Sequence, residues 1–238
     1  MPERKGQFVT IEGLDGCGKS TQLERLSAVL RAEGVDLVVT REPGGTATGE
    51  RIRTVLLDSA TAGLSPWAEM ALMFASRAQH LQEIVLPALE SGRLVLCDRF
   101  TDSTEAYQGG GRKLGSAPVL ALHRILCADI QPDLTILMDS EVSASVARAR
   151  RRNRSRVAGG NAEADENRFE QENRAFFERV RDKYLEIARR EAHRFFVVDA
   201  RRNSDVVHPE ILRAVRERLN LPAKSGAGAA KTGMKTAR

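Results

Sequence analysis

The fold is indicated by one octapeptide near the start of the chain, Gly13-Leu14-Asp15-Gly16-Cys17-Gly18-Lys19-Ser20. It satisfies the pattern G-x-x-x-x-G-K-[ST], and it lies between a hydrophobic run at residues 8–11 and an amphipathic helical pattern. In this context the glycines let backbone N–H groups face a phosphate. Lys19 then neutralises the terminal phosphates of a nucleotide, and Ser20 offers a hydroxyl ligand to Mg²⁺. The sequence therefore predicts a phosphate-binding loop.

Hydrophobic periodicity predicts an α/β fold around this loop. Short β-branched runs predict strands near residues 8–11, 37–40, 94–97, 134–138 and 195–198. Amphipathic patterns predict helices at 19–33, 49–57, 66–90, 118–126, 142–152, 167–192 and 205–219, with Gly34 ending the first. This alternation is typical of a doubly wound parallel sheet of about five strands with helices on both faces, of the P-loop NTPase-like kind.

The length of 238 residues suits one such domain, which we predict at residues 1–219. Gly, Ala, Asn and acidic residues at 158–166 predict a loop within a mobile lid at about 148–168. Large apolar residues are almost absent from residues 220–238, which predicts a disordered basic tail.

Composition narrows the classes of partner. Lys and Arg number 37 against 32 Asp and Glu, and the net charge of +5 suits phosphorylated ligands, nucleic acid or an anionic surface. The surplus lies at residues 148–156 and in the tail without interleaved aromatic residues, which disfavours nucleic acid. The cysteines Cys17, Cys97 and Cys127 are far apart, so neither a disulfide framework nor a zinc site is indicated. With no apolar segment of leader or membrane-spanning length, we expect a cytoplasmic protein that is not bound to a membrane.

Candidate functional residues follow the predicted strands, because parallel sheets bind ligands at the carboxyl ends of their strands. The second strand leads into Thr40-Arg41-Glu42-Pro43-Gly44-Gly45-Thr46, which by itself is equally consistent with an ordinary turn. The third ends in Asp98-Arg99, where a carboxylate suits the water shell of Mg²⁺ and an arginine suits a transferred phosphoryl group. The alternative is that Asp98 only caps a helix or forms an ion pair.

Two helical patterns also have both a functional and a structural interpretation. Phe74 and Arg77 share a helix face, and together they suit a nucleobase, by stacking and by hydrogen bonding. Such a pair is more commonly a core ring and a solvated arginine. The arginine-rich run at 148–156 suits either a solvated face or a lid that closes over ATP phosphates.

The chain resembles the thymidylate kinases, which transfer a phosphoryl group from ATP to dTMP and form dTDP. The resemblance extends over residues 7–219 and rests on four segments: Glu12-Gly13-Leu14-Asp15-Gly16-Cys17-Gly18-Lys19-Ser20-Thr21, Thr40-Arg41-Glu42-Pro43-Gly44-Gly45-Thr46, Asp98-Arg99-Phe100, and Ala106-Tyr107-Gln108-Gly109-Gly110-Gly111-Arg112. It implies ATP as co-substrate, Mg²⁺ as cofactor and a homodimer.

The resemblance also implies roles for individual residues. Phe74 is expected to stack on thymine and Arg77 to donate to its O4, with Thr104 reaching the base and Tyr107 lying near the sugar. The expected acceptor-binding set is Glu42, Arg41, Arg53, Phe74, Arg77, Arg99, Thr104, Tyr107 and Gln108, of which Arg41, Arg53 and Arg99 surround the acceptor phosphate. The expected ATP-binding set is Gly13, Leu14, Asp15, Gly16, Cys17, Gly18, Lys19, Ser20 and Thr21, and the expected metal ligands are Ser20 and Asp98.

Members of the family carry a catalytic arginine either in the phosphate-binding loop or in the lid. Because Gly16 stands at the loop position, this chain resembles the bacterial kind with lid arginines. The expected catalytic residues are Lys19, Arg99, Asp15, Arg152 and Arg154. Glu105 stands where some relatives carry Gln or an apolar residue, and we expect its carboxylate to face solvent or to pair with an arginine.

Two other functions are consistent with a phosphate-binding loop. A phosphotransferase acting on another nucleotide or a small metabolite would share Lys19 and Asp98 but would not need Phe74 with Arg77. A P-loop switch or nucleic-acid-dependent ATPase belongs to a different class. The sequence has no Asn-Lys-x-Asp guanine motif and no Leu-Ser-Gly-Gly-Gln signature, which disfavours two branches of that class.

Overall fold

The computed structural model describes residues 5–61, 63–158 and 168–221, and for residues 154–158 it describes the backbone alone. Within these residues the strands are β1 (Phe8–Glu12), β2 (Leu37–Arg41), β3 (Leu94–Asp98), β4 (Leu134–Asp139) and β5 (Phe195–Asp199). They form one sheet in the order β2-β3-β1-β4-β5, and every pairing is parallel. Each strand begins where it was predicted and continues one residue further. The predicted parallel sheet is confirmed.

Helices cover both faces of the sheet. The α-helices are α1 (Lys19–Ala32), α2 (Ala47–Leu57), α3 (Pro66–His80), α4 (Leu86–Glu90), α5 (Thr101–Thr104), α6 (Ser116–Leu126), α7 (Val142–Ala158), α8 (Arg174–Arg190) and α9 (Ser204–Leu219). The π-helical segments Leu81–Val85 and Glu105–Gly111 follow α3 and α5, and 3₁₀ turns occupy Ser59–Thr61 and Phe169–Gln171. Among the described helices, none has the length and apolar character needed to cross a membrane.

Local chemistry explains several helix ends. The helix α1 ends before Gly34, whose φ of 86° is the left-handed conformation of a helix stop, as predicted. The hydroxyl of Thr46 accepts a hydrogen bond from Gly49 N at the start of α2. Asn173 does the same for Phe176 N at the start of α8. These side chains satisfy N–H groups that the first turn of a helix leaves unpaired.

The predicted helices differ from the observed ones by more than two residues in three places. The helix α7 continues to Ala158 instead of ending at residue 152. The single helix predicted at 167–192 is instead the 3₁₀ turn Phe169–Gln171 followed by α8, because the Asn173 cap starts a new helix. The helical region from Thr101 to Gly111 was not predicted, since three consecutive glycines disfavour a helix.

Parts of two predicted segments cannot be compared with the structure. Residues 148–158 of the predicted lid belong to α7, whereas residues 159–167 lie outside the described residues, as do residues 222–238 of the predicted tail. The proposed domain limits therefore stay predictions.

The two faces of the sheet bury different helices, because successive strand residues point to opposite sides. Val9 and Leu96 pack with residues of α1 and α9. Phe8 and Val95 belong to a cluster with α3, α4 and α6, and Phe195 belongs to one with α8. All five side chains are buried, so the sheet is covered on both faces as a doubly wound fold requires.

The carboxyl ends of the three strands β1, β2 and β3 lie side by side. Ile11 and Arg41 are both register partners of Asp98. The segments that follow these strands are joined by backbone hydrogen bonds, from Glu42 N to Asp98 O and from Arg99 N to Ile11 O. The three candidate motifs therefore meet at one edge of the sheet.

Candidate active site

Residues 13–18 form a tight loop between β1 and α1, which begins at Lys19. Gly13, Gly16 and Gly18 have φ values of 136°, 79° and 101°, which favour glycine. Lys19 is buried, and its Nζ donates to the carbonyl oxygens of Gly13 at 3.1 Å and Leu14 at 2.9 Å. The loop therefore keeps an ammonium group at its centre.

One hydroxyl and one carboxylate at this loop suit a Mg²⁺ ion. Ser20 Oγ donates to Asp98 Oδ2 at 3.3 Å, and Asp98 Oδ1 is buried without a hydrogen-bond partner. Mg²⁺ prefers oxygen ligands, and it commonly takes one or two from the protein and the rest from phosphates and water. In the described part of the chain, no group of three or more His, Cys, Asp or Glu residues could hold a metal alone. The pair therefore fits a metal that is shared with bound phosphates.

A cavity that is open to solvent adjoins the loop. Its walls come from the loop, the segments after β2 and β3, the helices α2, α3, α5 and α7, the π-helical segment Glu105–Gly111 and the 3₁₀ turn at Phe169–Gln171. The structure places seven of the expected acceptor-binding residues in its lining: Glu42, Arg53, Arg77, Arg99, Thr104, Tyr107 and Gln108. Phe74 and Arg41 are not among the lining residues.

Arg77 is held rigidly in the wall of this cavity. Its Nε donates to Glu42 Oε2 at 2.7 Å, and its Nη2 donates to Thr104 Oγ1 at 3.0 Å. Its Cζ lies 4.9 Å from the ring centre of Phe74 and 5.2 Å from that of Phe100. Arg77 Nη1 is buried and has no hydrogen-bond partner. The guanidinium therefore presents one unused donor that is fixed in direction.

The structure does not bring Phe74, which was expected to stack on a base, to the cavity. The ring of Phe74 is fully buried in the cluster beneath the sheet, where it packs behind Arg77. Met73, one residue earlier and four residues before Arg77, is half-buried and lines the cavity. Met73 is therefore the residue of α3 that offers an apolar surface to the cavity.

The expected phosphate-binding arginines divide into two groups. Arg41 lies outside the cavity and pairs with Glu50, with Nη2 at 3.0 Å from Oε2. Its side chain is 54% exposed, so the structure does not bring it to the cavity that Arg53 and Arg99 line. Arg53 lines the cavity and donates from Nη1 to the carbonyl oxygen of Pro43 at 2.9 Å.

Arg99 and Asp15 form the polar centre of the cavity. Arg99 Nη2 donates to Asp15 Oδ1 at 2.8 Å, and Tyr107 OH donates to Asp15 Oδ2 at 3.2 Å. Burial would raise the pKa of Asp15, but the charges of Arg99 and Lys19 outweigh it and lower that pKa below its usual range. Asp15 is therefore a carboxylate at neutral pH, held between two cations and a tyrosine.

A buried layer that sequence analysis missed supports this centre. Glu12, fully buried at the end of β1, accepts hydrogen bonds from Phe100 N at 2.7 Å, Ser103 Oγ at 2.5 Å and Tyr184 OH at 3.0 Å. Burial, with a smaller effect of a neighbouring carboxylate, raises the pKa of Glu12 to about 7. Ser103 and Tyr184 also accept from Arg99 Nη1, at 2.9 Å and 3.1 Å. The layer therefore sets the position of Arg99.

The helix α7 lies directly on the phosphate-binding loop. Arg148 Nε donates to the carbonyl oxygen of Gly16 at 2.7 Å. A β-carbon on Gly16 would lie 2.3 Å from Ser145 O and 2.9 Å from Ala149 N. The close approach of α7 therefore excludes a side chain, including that of an arginine, at position 16.

Further along α7, Arg152 and Asn153 line the cavity opposite Glu170. Asn153 Nδ2 donates to Glu170 Oε1, and Arg152 Nη2 lies 4.0 Å from the same oxygen. Glu170 Oε2 is buried without a partner, and burial, with a smaller effect of Asp15, raises the pKa of Glu170 to about 7. The structure thus brings the predicted Arg152 to the cavity. The side chain of Arg154 lies outside the described part of α7.

Glu105 and Gln108 lie on one π-helical segment and have different surroundings. Glu105 is buried and forms a two-point pair with Arg190, at 2.7 Å and 2.8 Å, so the expected pairing with an arginine is confirmed. Gln108 Nε2 donates to Glu69 Oε1 at 2.7 Å, and Gln108 Oε1 is buried without a partner. Gln108 therefore leaves one unused acceptor in the wall of the cavity.

The comparisons with known proteins all find thymidylate kinases. A family model described as thymidylate kinase matches residues 11–211. The thymidylate kinase of Trichlorobacter lovleyi is 47% identical over 215 residues, which are 90% of this chain and 99% of that protein. That of Pseudomonas syringae pv. tomato is 46% identical over 216 residues, which are 91% and 98% of the two chains. A crystal structure of thymidylate kinase from Ehrlichia chaffeensis superposes with a TM-score of 0.69 at 30% identity, covering 89% of this chain and 98% of that one.

Proposed function

Since the chain belongs to the thymidylate kinase family and phosphorylates dTMP to dTDP with ATP, we propose that dTMP lies in the cavity beneath Arg77 and that the ATP phosphates lie on residues 13–20. The observation that carries this assignment is the unused donor Arg77 Nη1. A buried donor without a partner costs free energy, which a carbonyl oxygen of a bound base would recover. Thymine O4 is such an oxygen.

A second unused group fits the same base. Gln108 lines the same cavity as Arg77, and its Oε1 is a buried acceptor without a partner. Thymine has an N–H donor beside its O4. Arg77 Nη1 would therefore donate to O4, and Gln108 Oε1 would accept from this N–H. Leu57, Met73 and Phe100 supply the apolar part of the lining, where the methyl group of thymine would be buried.

The reaction needs alignment and charge neutralisation more than proton transfer. An oxygen of the dTMP phosphate attacks the γ-phosphorus of ATP, and the bond from that phosphorus to the bridging oxygen of ADP breaks. Because a phosphate monoester has a second pKa near ~6, the attacking oxygen is already ionised at neutral pH. Lys19, Arg99 and Arg152 supply positive charge around the transferring group, and Asp15 orients Arg99 through their ion pair.

Ser20 and Asp98 are the residues that would hold Mg²⁺. When bound, this ion neutralises charge on the phosphate oxygens of ATP. The unpartnered Asp98 Oδ1 supports the assignment, since it remains available for an ion or for one of its waters.

Exposed apolar side chains support a homodimer. Trp67 on α3 is 56% exposed, and Ile125 and Leu126 on α6 are 75% and 43% exposed. Large apolar side chains on two helices that pack together suit a surface covered by a second copy of the chain. Sedimentation of wild type and of Ile125→Glu tests this, with a dimer expected for the first and a shift to monomer for the second.

The three unpaired cysteines suit the reducing cytoplasm, which we propose as the compartment.

The assignment of the base site is tested with Arg77→Ala. Loss of a charge-assisted hydrogen bond costs about 1.5 to 3 kcal/mol, so we expect the KM for dTMP to rise about 10- to 100-fold while the KM for ATP stays unchanged. Arg93→Ala is the matched control, since Arg93 pairs with Asp36 away from the cavity. Equal increases for both substrates would show that the base lies elsewhere.

A further inference from the structure

A fully buried histidine lies behind the base-recognition arginine. His80, the last residue of α3, is 0% exposed and does not line the cavity. Its Nδ1 lies 2.8 Å from Glu42 Oε1, and its Nε2 lies 2.6 Å from Thr40 Oγ1. A carboxylate can only accept hydrogen bonds, so Nδ1 carries a proton and donates to Glu42.

These contacts form a chain that ends at the cavity. Glu42 uses one carboxylate oxygen for His80 and the other for Arg77 Nε, and both carboxylate and guanidinium are buried. Burial would raise the pKa of Glu42, but Arg77 and then His80 outweigh it, so the pKa is lowered and the group is ionised. With Nε and Nη2 of Arg77 engaged, its orientation determines where the free Nη1 points.

The segment after β2 packs tightly on the histidine ring. A β-carbon on Gly45 would lie 2.8 Å from Cδ2 of His80 and 2.8 Å from Oγ1 of Thr40. Gly44 N donates to Ser76 Oγ at 3.1 Å, which adds a second link between this segment and α3. This packing therefore holds the ring of His80 in one position, and the ring in turn holds the carboxylate of Glu42.

We propose that His80 is a positioning residue for the acceptor: through Glu42 it sets the direction of Arg77 Nη1, and thereby determines the affinity for the base of dTMP without touching it. This inference rests on the proposed site for dTMP. It assigns no role to His80 in ATP binding, since the two ring nitrogens contact Glu42 and Thr40.

Two amide variants separate the two ring nitrogens. His80→Asn places an amide N–H near the position of Nδ1 and can keep the bond to Glu42, whereas His80→Gln places it near Nε2 and loses that bond. We expect His80→Gln to raise the KM for dTMP about tenfold, in line with a misplaced charged hydrogen bond, with an unchanged KM for ATP. His80→Asn should restore most of the affinity for dTMP.

A double-mutant cycle gives the decisive readout. If His80 acts through Arg77, adding His80→Gln to Arg77→Ala should not raise the KM for dTMP further. Three results would each overturn the proposal. His80→Gln could raise the KM for ATP as much as the KM for dTMP, or it could leave the KM for dTMP unchanged. It could also raise the KM for dTMP by the same factor in the Arg77→Ala protein as in wild type. If His80→Gln does not fold, Glu42→Gln replaces it, because it weakens the same link to Arg77. A wild type that does not phosphorylate dTMP would instead contradict the proposed function.

Discussion

Gly16 and Ser145 approach so closely that a β-carbon on the glycine would lie 2.3 Å from the carbonyl oxygen of the serine. This contact seats α7 on the phosphate-binding loop, and Arg148 Nε reinforces it by donating to Gly16 O. The same helix carries Arg152 to the cavity. One helix therefore contacts both the phosphate-binding loop and the cavity, and its placement depends on the absence of a side chain at position 16.

Gly16→Ala should disturb this placement. The new β-carbon would clash with backbone atoms, so we expect a lower kcat together with a loss of stability larger than the roughly 1 to 2 kcal/mol that a left-handed alanine costs. Gly34→Ala is the matched control, because Gly34 also has a positive φ, of 86°, but nothing lies within 4 Å of a β-carbon there. Turnover and thermal unfolding of both variants check the prediction. Equal losses would mean that backbone strain alone is responsible.

Arg152→Ala should lower kcat more than any change on the exposed side of α7. An arginine that neutralises charge on a transferring phosphoryl group is worth about a thousandfold or more, so we expect a fall of at least about 100-fold at saturating ATP and dTMP. Arg151→Ala, which alters a neighbouring exposed arginine outside the cavity, should change kcat by about twofold at most. Arg154→Ala should be measured in the same way. Small changes in kcat for all of these variants would contradict a catalytic role for the arginine-rich run.

Met73 and Phe74 should respond differently to truncation. Phe74→Ala removes a fully buried ring and should cost about 3 to 5 kcal/mol of stability. Met73→Ala removes an apolar surface from the cavity and should mainly raise the KM for dTMP, by about tenfold if about 1.5 kcal/mol of contact is lost. Unfolding free energies and the two KM values distinguish them. A raised KM in a stable Phe74→Ala protein, with Met73→Ala unaffected, would restore Phe74 to the base site.

Glu170 should make stability depend on pH. Its pKa is raised from 4.5 to about 7 in the folded chain, so the folded state binds more protons than the unfolded state between these values. Stability is then lost as the pH rises through this window and levels off above it. Glu170→Gln removes the titration, so its melting temperature relative to wild type should increase from about pH 5 to about pH 8. Glu217→Gln, on the exposed part of α9, controls for the loss of a carboxylate, and a constant difference at Glu170 would refute the raised pKa.

The strand ends could be predicted from the sequence because their chemistry is local. A hydrophobic run that ends in Asp98-Arg99 places both residues at the carboxyl edge whatever the neighbouring strands are. The glycine-rich loop likewise carries its own backbone requirements, and Gly13, Gly16 and Gly18 all adopt positive φ values. For these segments, residue type and spacing were sufficient.

The choice between Met73 and Phe74 could not be made from spacing. Residues three and four positions before Arg77 both lie on its side of the helix, so either could accompany it. Only the packing of α3 against the sheet turns Phe74 into the core and leaves Met73 at the cavity. An aromatic ring also stacks well on a base, and that chemical preference favoured Phe74 over the residue that lines the cavity.

Contacts between distant segments were also beyond sequence analysis. His80 and Glu42 are 38 residues apart, and Asn153 and Glu170 are 17 apart, with no shared motif to connect them. Each of these polar groups acquires its role from burial beside a partner that only the folded chain provides. A polar residue without an assigned role inside a predicted helix, such as His80, was the one available signal.

The choice of acceptor tests the central claim most directly. Initial rates should be measured with ATP and Mg²⁺ in the presence of dTMP, dUMP, AMP or no acceptor. We predict the highest kcat/KM for dTMP, a value about tenfold or more lower for dUMP because it lacks the buried methyl group, and near-background rates for AMP, whose amino group faces the donor of Arg77. Equal use of AMP, or ATP hydrolysis that does not require an acceptor, would contradict the account.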